Sequence, residues 1–415
     1  MFGIQEKFDN EISNYIKTNQ IVVLSLDILI QEKTGIILTD TQKDLFADQL
    51  QPPISNLTFD FSDEQLIAAG YKNEKEVEHL IHEVVQELPN KVSFMNSNLD
   101  EVMESVIANS TDQIAEEIVE DLFSNFEEMI GDKRENLEKV SEYIHSIWGE
   151  PLDFFQGLIS ILDETIDAFF KKYPNLYDQN IAVEALLRIH AKANQIAKEI
   201  LVLMRNGFAD GAQARWRTLH ELAVISHFIS EHGNECAERY LDHDIVEEYK
   251  YALQHNEYCE RLGYSPYSAE DLADIEVEYN RLLKKYGQNF RFDFGWASEA
   301  LSCKKPNFRD IELSVELDHH RPLFKSASAN IHANSTGVIW RLGTNNESDL
   351  LLAGPSEIGI ETPASYSTAS MIQIATALLN FNPTMDGIVG SKILNKYGDI
   401  VDESFYKVAD SIETS

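Results

Sequence analysis

The sequence predicts an all-α protein built as a multi-helix array, and three observations support this fold class. Apolar residues recur at helical spacing through most of the chain. Residues that commonly cap helices, such as Thr39, Ser62 and Ser268, stand directly before several of these stretches. With 415 residues, of which 43% are hydrophobic, the chain is long enough to bury a sizeable core.

The helices can be followed along the chain in order. Residues 5–32 have apolar positions at near-helical spacing, and Thr39 and Ser62 each open a further short helix. The sequence predicts long helices over 152–172, 183–204, 209–231 and 234–262, with Gly207 as a left-handed helix cap and a break at Gly233. The sequence also predicts a last core helix over 367–379.

An irregular segment is expected near 287–366, because glycine and proline recur there. Within it, the apolar runs 338–342 and 350–352 allow a short β-hairpin. The sequence therefore divides into an acidic helical N-terminal region (1–149), a helical core domain (150–383) and a C-terminal helix or tail (384–415). The boundary between the first two lies at Gly149-Glu150-Pro151.

The chain is strongly acidic, with a formal net charge of -36, and residues 1–150 carry more than half of this excess. Such a field repels phosphate backbones, so bulk nucleic-acid binding is disfavoured. Residues 98–142 form the most acidic helical face. This face is interpreted either as a solvated helix surface or as a surface that binds a basic protein partner.

Several classes of site are absent from the sequence. The three cysteines, Cys236, Cys259 and Cys303, form no CxxC pair, which suits a reducing compartment and predicts no zinc site. No signal peptide is recognised, and the apolar stretch 21–30 is too short to span a bilayer. We therefore expect a cytoplasmic protein without membrane contact. No nucleotide-binding glycine motif occurs, so no cofactor is predicted.

The most informative feature is a polar cluster in the apolar helix 209–231. Arg217 and Glu221 are four residues apart on one side of that helix, where an unpaired charge would be costly, so an ion pair is expected. This pair either sets the helix register or lines a pocket in which Arg217 binds a carboxylate or phosphate.

A second candidate lies in residues 325–334, where Ser328 and His332 are also four apart. A serine beside a histidine resembles an activated nucleophile. The segment has no nucleophile elbow and no glycine-rich oxyanion segment. The alternative, a buried histidine with a hydrogen-bonding partner, is therefore favoured.

The doublet His243-Asp244 suggests a metal-dependent phosphohydrolase, with His220, Asp271 or Asp274 as further ligands. Two-metal hydrolysis needs several ligands that converge on one point. Spacing alone does not demonstrate such convergence, so no metal site is predicted.

Arg215 and His220 form an R-x4-H spacing, which is typical of HEPN ribonucleases. In those helical proteins an arginine and a histidine cleave RNA without a metal. The residue after the arginine is usually polar there, whereas here it is Trp216, and the acidic field is a second objection. A homodimer would be one way to build a small basic cleft.

Six motifs follow one another along the chain: Arg205 with Gly207, residues 217–221, Tyr286-Gly287, residues 294–297, Pro322 with residues 325–334, and Gly354-Pro355-Ser356. As an ordered set they resemble a bacterial family classed only as a domain of unknown function, number 5677 in that series. The resemblance covers roughly residues 180–380. It implies a helical fold with Arg217, Glu221 and His332 as recurring polar positions, and no established activity. That family usually has an aliphatic residue at the position of His220, which argues against the ribonuclease alternative.

The leading functional hypothesis is a binding or regulatory module. In it, Arg217, Glu221, Trp296 and His332 converge on one buried site for a small anionic ligand, with Lys325 and Ser328 beside them. The first alternative is a HEPN-like, metal-independent ribonuclease or toxin in bacterial antiviral defence, with Arg215 and His220 as its catalytic pair. The second is an acidic scaffold for a basic protein partner.

Overall fold

The computed structural model describes residues 18–50, 57–97, 99–176, 180–344 and 351–414. Over these residues the regular structure consists of α-helices and short 3-10 helices, without a β-strand. The predicted all-α class is therefore confirmed. The chain divides into two compact units, residues 1–130 and 131–415, whereas the sequence places its boundary at Gly149-Glu150-Pro151.

The first unit has a core of its own. Leu26 and Ile30 of its first helix and Val84 of its fourth are fully buried, because these two helices pack along each other. Thr39 and Ser62 each close a capping box, as expected for helix-opening residues. Its helices are α1 Thr18–Thr34, α2 Asp40–Gln49, α3 Asp63–Ala68, α4 Glu78–Ser97 and α5 Leu99–Ser124.

The second unit is larger and contains the long helices. Its first helix runs without interruption through Gly149-Glu150-Pro151. Within residues 384–415, predicted as a helix or tail, Met385–Glu413 form a long helix that packs against the preceding one. Among the described residues, no helix is both long and apolar enough to cross a membrane. The helices are α6 Phe126–Lys172, α7 Ile181–Arg205, α8 Ala209–Asp242, α9 Asp244–Leu262, α10 Ala269–Tyr286, α11 Phe308–Ser314, α12 Arg321–Ile331, α13 Ser335–Ile339, α14 Glu361–Leu379 and α15 Met385–Glu413.

Helix α8 is the centre of the second unit. It is apolar on most sides, and Trp216, Leu219 and Phe228 are almost completely buried. Its neighbours are α7, α11, α12 and α14. The predicted break at Gly233 is present, since this residue has a non-helical backbone with φ of 72°. The helix predicted over 234–262 is in turn divided at His243.

Gly207 ends α7 in the left-handed region that favours glycine, with φ of 74°. Its carbonyl accepts a hydrogen bond from the Ser356 amide at 2.9 Å. A Cβ atom at this position would lie 2.8 Å from the Ser356 carbonyl oxygen. The sequence motifs around Gly207 and Ser356 are therefore in contact. This contact requires glycine, a residue without a side chain, at position 207.

The segment between α10 and α14, predicted to be irregular, contains three short helices (α11, α12 and α13) joined by irregular stretches, and it is anchored on α8. The Asp210 carboxylate accepts hydrogen bonds from the Asn330 side chain at 3.2 Å and from the Leu342 amide at 3.0 Å. The predicted hairpin is wrong in its first arm, because 338 and 339 end helix α13. The Asn334 side chain caps that helix by accepting from the Gly337 amide, and this local bond favours the helix. Residues 345–350 lie outside the described part, and 351–352 have no regular structure.

Candidate functional site

The polar residues of α8 collect where this helix meets α11 and α12. His220 faces α11, and its Nε2 lies 3.1 Å from Glu312 Oε1. Both side chains are 0% exposed. The other carboxylate oxygen of Glu312 accepts a hydrogen bond from Arg321 Nη1 at 2.6 Å. One buried carboxylate therefore joins a histidine of α8 to an arginine at the start of α12.

The protonation of this group follows from its contacts. Burial on its own raises the pKa of the Glu312 carboxyl, but the hydrogen bonds from His220 and Arg321 outweigh burial and hold the pKa below its ordinary value. Glu312 is thus a carboxylate, which can only accept, so His220 Nε2 carries a hydrogen and donates it. The Nδ1 atom of His220 is buried and has no hydrogen-bond partner.

A second pair lies beside the first. Arg217 Nη2 is 3.1 Å from Glu221 Oε1, so the predicted i,i+4 ion pair is present, with both side chains mostly buried. Burial raises the pKa of the Glu221 carboxyl even though the Arg217 charge opposes this effect. Arg217 Nε is buried and donates to no acceptor. This pair therefore leaves one strong donor unused.

The ring of Phe324, in α12, brings the two pairs together. The Arg217 guanidinium lies 4.7 Å from its centroid, and the Arg321 guanidinium lies 5.3 Å from it. The His220 ring centroid is 5.8 Å away, and Phe324 itself is 6% exposed. We call the group formed by Arg217, His220, Glu221, Glu312, Arg321 and Phe324 the Phe324 cluster.

The other members of the predicted ligand site lie elsewhere. Trp296 packs on Phe228 and Tyr240, and its carbonyl accepts from Arg239 Nε at 3.0 Å. It lines an open cleft of about 690 Å³ beside α7 and α9. Among the described contacts, none joins Trp296 to Arg217 or Glu221. The structure thus brings Arg217 and Glu221 together but leaves Trp296 outside their cluster.

Residues 325–334 also differ from the predicted arrangement. Lys325 and His332 are exposed. The Ser328 hydroxyl donates to the Phe324 carbonyl at 2.7 Å, one helical turn back, and no described contact joins it to the His332 ring. The activated Ser–His pair is therefore not formed, because the serine uses its hydrogen within its own helix.

Arg215 and His220 have different neighbours. Arg215 Nε donates to Glu199 of α7 at 2.6 Å, whereas His220 faces Glu312. Five residues place two side chains about 140° apart around a helix. The R-x4-H spacing thus gives no shared face in this chain, and His220 is closed to solvent. This placement provides no support for the ribonuclease alternative.

The His243-Asp244 doublet and its companions do not form a metal site. His243 Nε2 lies within hydrogen-bonding distance of the Phe290 and Phe292 carbonyls, at 3.1 and 2.9 Å. The Asp271 side chain accepts from the Ser268 hydroxyl at a helix start. In the part of the chain that the structure describes, no group of three or more His, Cys, Asp or Glu side chains is arranged to hold a metal.

The acidic face is largely exposed where it is described. The apolar side chains at 119, 122, 123, 126 and 129 are exposed on α5 and at the start of α6, among many carboxylates. The sequence places Leu122 and Phe126 on the apolar face of this region, but they are 43% and 44% exposed. Binding of a basic partner to this face stays a prediction.

Sequence reasoning missed Glu312, Arg321 and Phe324. Their signal is weak, because each is an ordinary residue of a short helix. The one available clue is the run Asp318-His319-His320-Arg321 before Pro322, which is unusually rich in ionisable groups. His320 lies 5.4 Å from the His220 ring. Burial, together with the charges of His319 and His220, lowers the pKa of His320 to about 4.

Comparison with known proteins identifies one family. Residues 183–349 match the model of a family of unknown function (DUF5677), so the predicted resemblance is confirmed over that segment. The match contains the whole Phe324 cluster and ends before α14. No curated protein and no solved structure matches the chain.

Proposed function

We propose that the Phe324 cluster is the ligand site of a binding module and takes a small anion with a carboxylate or phosphate group. The observation that carries this proposal is the unused donor of Arg217. A buried N–H without an acceptor costs about 1–3 kcal/mol. An anion that reached it would remove this cost and bind the strongest donor type in proteins.

The surrounding groups favour an anion over a neutral ligand. Two guanidinium groups, Arg217 and Arg321, face the same ring of Phe324 from different positions along the chain. Each guanidinium has one carboxylate partner, Glu221 for Arg217 and Glu312 for Arg321. A ligand that displaced Phe324 would lie between two planar donors, which is the arrangement that suits carboxylates and phosphates.

The same geometry supports a regulatory role. Phe324 fills the centre of the cluster, so ligand entry requires its ring, and with it the short helix α12, to shift. Helix α12 is tied to α8 directly through the Asn330–Asp210 hydrogen bond, and indirectly because Arg321 of α12 and His220 of α8 both bind Glu312 of α11. Occupancy of the site would therefore change how the segment 308–342 packs on α8. A ligand with higher affinity for the shifted state would increase the population of that state, and the changed packing would then report that the ligand is bound.

Calorimetric titration of the full chain with phosphate, acetate and succinate tests the proposal, with acetamide as the uncharged control. We expect at least one anion to bind with a dissociation constant in the millimolar range or below. The Arg217→Gln variant should weaken binding at least tenfold, about 1.4 kcal/mol. The matched control is Arg215→Gln, two residues away on the same helix and paired with Glu199.

Two results would contradict the anion site. The first is that none of the three anions gives binding heat at concentrations on the order of 10 mM. The second is an equal loss of affinity in the Arg217 and Arg215 variants. Binding would then depend on the overall charge of the protein and not on a site at Arg217.

A further inference from the structure

A second cavity, of about 290 Å³, lies between α8, α14 and α15. On α14 its lining residues follow helical spacing from Thr368 to Thr376, so they share one face. On α15 the lining runs from Asn395 to Asp402 with the same periodicity, and α8 contributes His227. Three separate helices thus contribute polar residues to one partly open cavity.

Five buried atoms around this cavity have no hydrogen-bond partner within the protein. Thr368 is 2% exposed, so its hydroxyl has no access to bulk solvent. Buried polar groups in folded proteins are nearly always hydrogen-bonded, and five exceptions on one cavity need a common explanation. The atoms are His227 Nε2, Thr368 Oγ1, Gln373 Oε1, Thr376 Oγ1 and Asp402 Oδ1.

Two of these five atoms are threonine hydroxyls on α14. A hydroxyl in a helix commonly donates to the carbonyl four residues earlier. Ser226, Ser328 and Ser391 all do so, at 2.8, 2.7 and 2.9 Å. Thr368 and Thr376 lie in a regular helix without this bond, so neither hydroxyl has a partner within its own helix.

The chemistry of the lining selects a cation that carries N–H donors. Gln373 Oε1 and Asp402 Oδ1 can only accept, and a threonine hydroxyl can accept as well. The lining includes the carboxylates of Asp399 and Asp402 and no lysine or arginine. A transition metal does not fit, because no group of three metal-ligating residues is found in the described part of the chain. An ammonium group, with three N–H donors, matches an oxygen-rich site of this kind.

We propose that this cavity binds a small organic amine, whose ammonium group is held by Asp402, Gln373 and a threonine hydroxyl. The cavity volume of about 290 Å³ corresponds to roughly ten liquid water molecules, so it suits an amine with no more than about ten non-hydrogen atoms. His227 and Thr368 remain for a second polar group of the same ligand. The site is distinct from the Phe324 cluster, and α14 and α15 lie outside the segment that matches the family.

The electrostatic surroundings of Asp402 agree with a site for a cation. Burial raises the pKa of its carboxyl to about 6, against a lowering hydrogen bond from Ser365, and the charge of nearby Asp399 raises it further. Burial also lowers the pKa of His227, so this ring is neutral near pH 7 and offers Asp402 no positive charge. A bound ammonium supplies the missing counter-charge.

The test is a calorimetric titration of the full chain at pH 7.5 with methylamine, ethanolamine and 1,4-diaminobutane. Ethylene glycol and 1,4-butanediol are uncharged controls of similar size, and potassium chloride tests a simple cation. We expect at least one amine to bind at least tenfold more tightly than its uncharged counterpart and to raise the melting temperature. Asp402→Asn should weaken that binding tenfold or more, and Thr376→Val, which changes a hydroxyl into a methyl group, should weaken it several-fold.

The matched control is Asp410→Asn, an exposed aspartate on the same helix, which should leave the affinity unchanged. Equal weakening by the Asp402 and Asp410 substitutions would overturn the proposal. Binding of potassium with no preference for amines would overturn it as well. Absence of binding by every amine would show that the cavity holds water only.

Discussion

Glu312 is the residue on which the Phe324 cluster depends. It is fully buried and receives hydrogen bonds from two helices, through His220 and through Arg321. Removing one partner of a buried charge pair typically costs about 3–5 kcal/mol, because the other charge is left without compensation. We therefore expect Glu312→Ala to lower the free energy of unfolding by about 3–5 kcal/mol, measured by urea denaturation.

The matched comparison is Glu221→Ala, which removes the carboxylate of the half-buried pair with Arg217. Its expected cost is about 1 kcal/mol, since that pair is partly solvated. A double-mutant cycle of His220→Ala with Glu312→Ala should give a coupling energy of about 1–3 kcal/mol. Additive single substitutions would mean that the two residues act independently, contrary to their 3.1 Å contact.

At the scale of residues, local pairs were predictable from the sequence and distant ones were not. The Arg217–Glu221 pair follows from a spacing of four on an apolar helix. The partner of His220 is 92 residues away in the chain, and no spacing rule connects them. The pairing of Arg215 with His220 finds no support in the structure for the same reason, since each side chain is oriented by a neighbour that only the tertiary structure provides.

At the scale of elements, the contact of α11 and α12 with α8 should depend on pH. Because burial and neighbouring histidines lower the pKa of His320 to about 4, the folded state binds this proton less readily than the unfolded chain, whose ordinary value is 6.5. The stability contributed by neutral His320 is therefore complete above pH 6.5 and is lost as the pH falls from 6.5 towards 4.

We expect hydrogen–deuterium exchange in residues 308–331 to speed up on acidification from pH 7 to pH 5, after correction for the intrinsic pH dependence of exchange. The His320→Gln variant should show a smaller change over this range. His332→Gln changes an exposed residue at the C-terminal end of α12, and this variant should behave like the unmodified chain. A pH response that persists in the His320 variant would assign the effect to another group.

Elements that start or end with a local signal were predicted correctly. Thr39 and Ser62 open helices through their own side chains, and Gly207 ends one through its backbone. Proline was a weaker guide, since α6 runs through Pro151, where the sequence places a domain boundary, and α4 also contains a proline, Pro89. A proline removes one helical hydrogen bond, and packing of the remaining turns can offset that loss. The apolar residues of 338–342 suggested a strand, but the hydrogen bond from the Gly337 amide to the Asn334 side chain stabilises a helix there.

At the scale of the whole molecule, each compact unit has a separate hydrophobic core. The buried residues of the first core all lie between 23 and 88, and those of the second between 144 and 405. The length and hydrophobic content of the chain predicted a sizeable core. They could not place the division between residues 130 and 131, because that division lies close to the start of a continuous helix.

Two separate cores imply two unfolding transitions, since a core substitution lowers the stability only of the cooperative unit that contains it. We expect differential scanning calorimetry of the full chain to show two transitions. Leu26→Ala, in the first core, should lower one melting temperature, and Leu186→Ala, in the second, should lower the other. Both residues are 0% exposed, and each truncation should cost about 2–5 kcal/mol within its own unit. A single transition that both substitutions shift equally would show that the two cores unfold together, and ligand binding to the second unit would then stabilise the first as well.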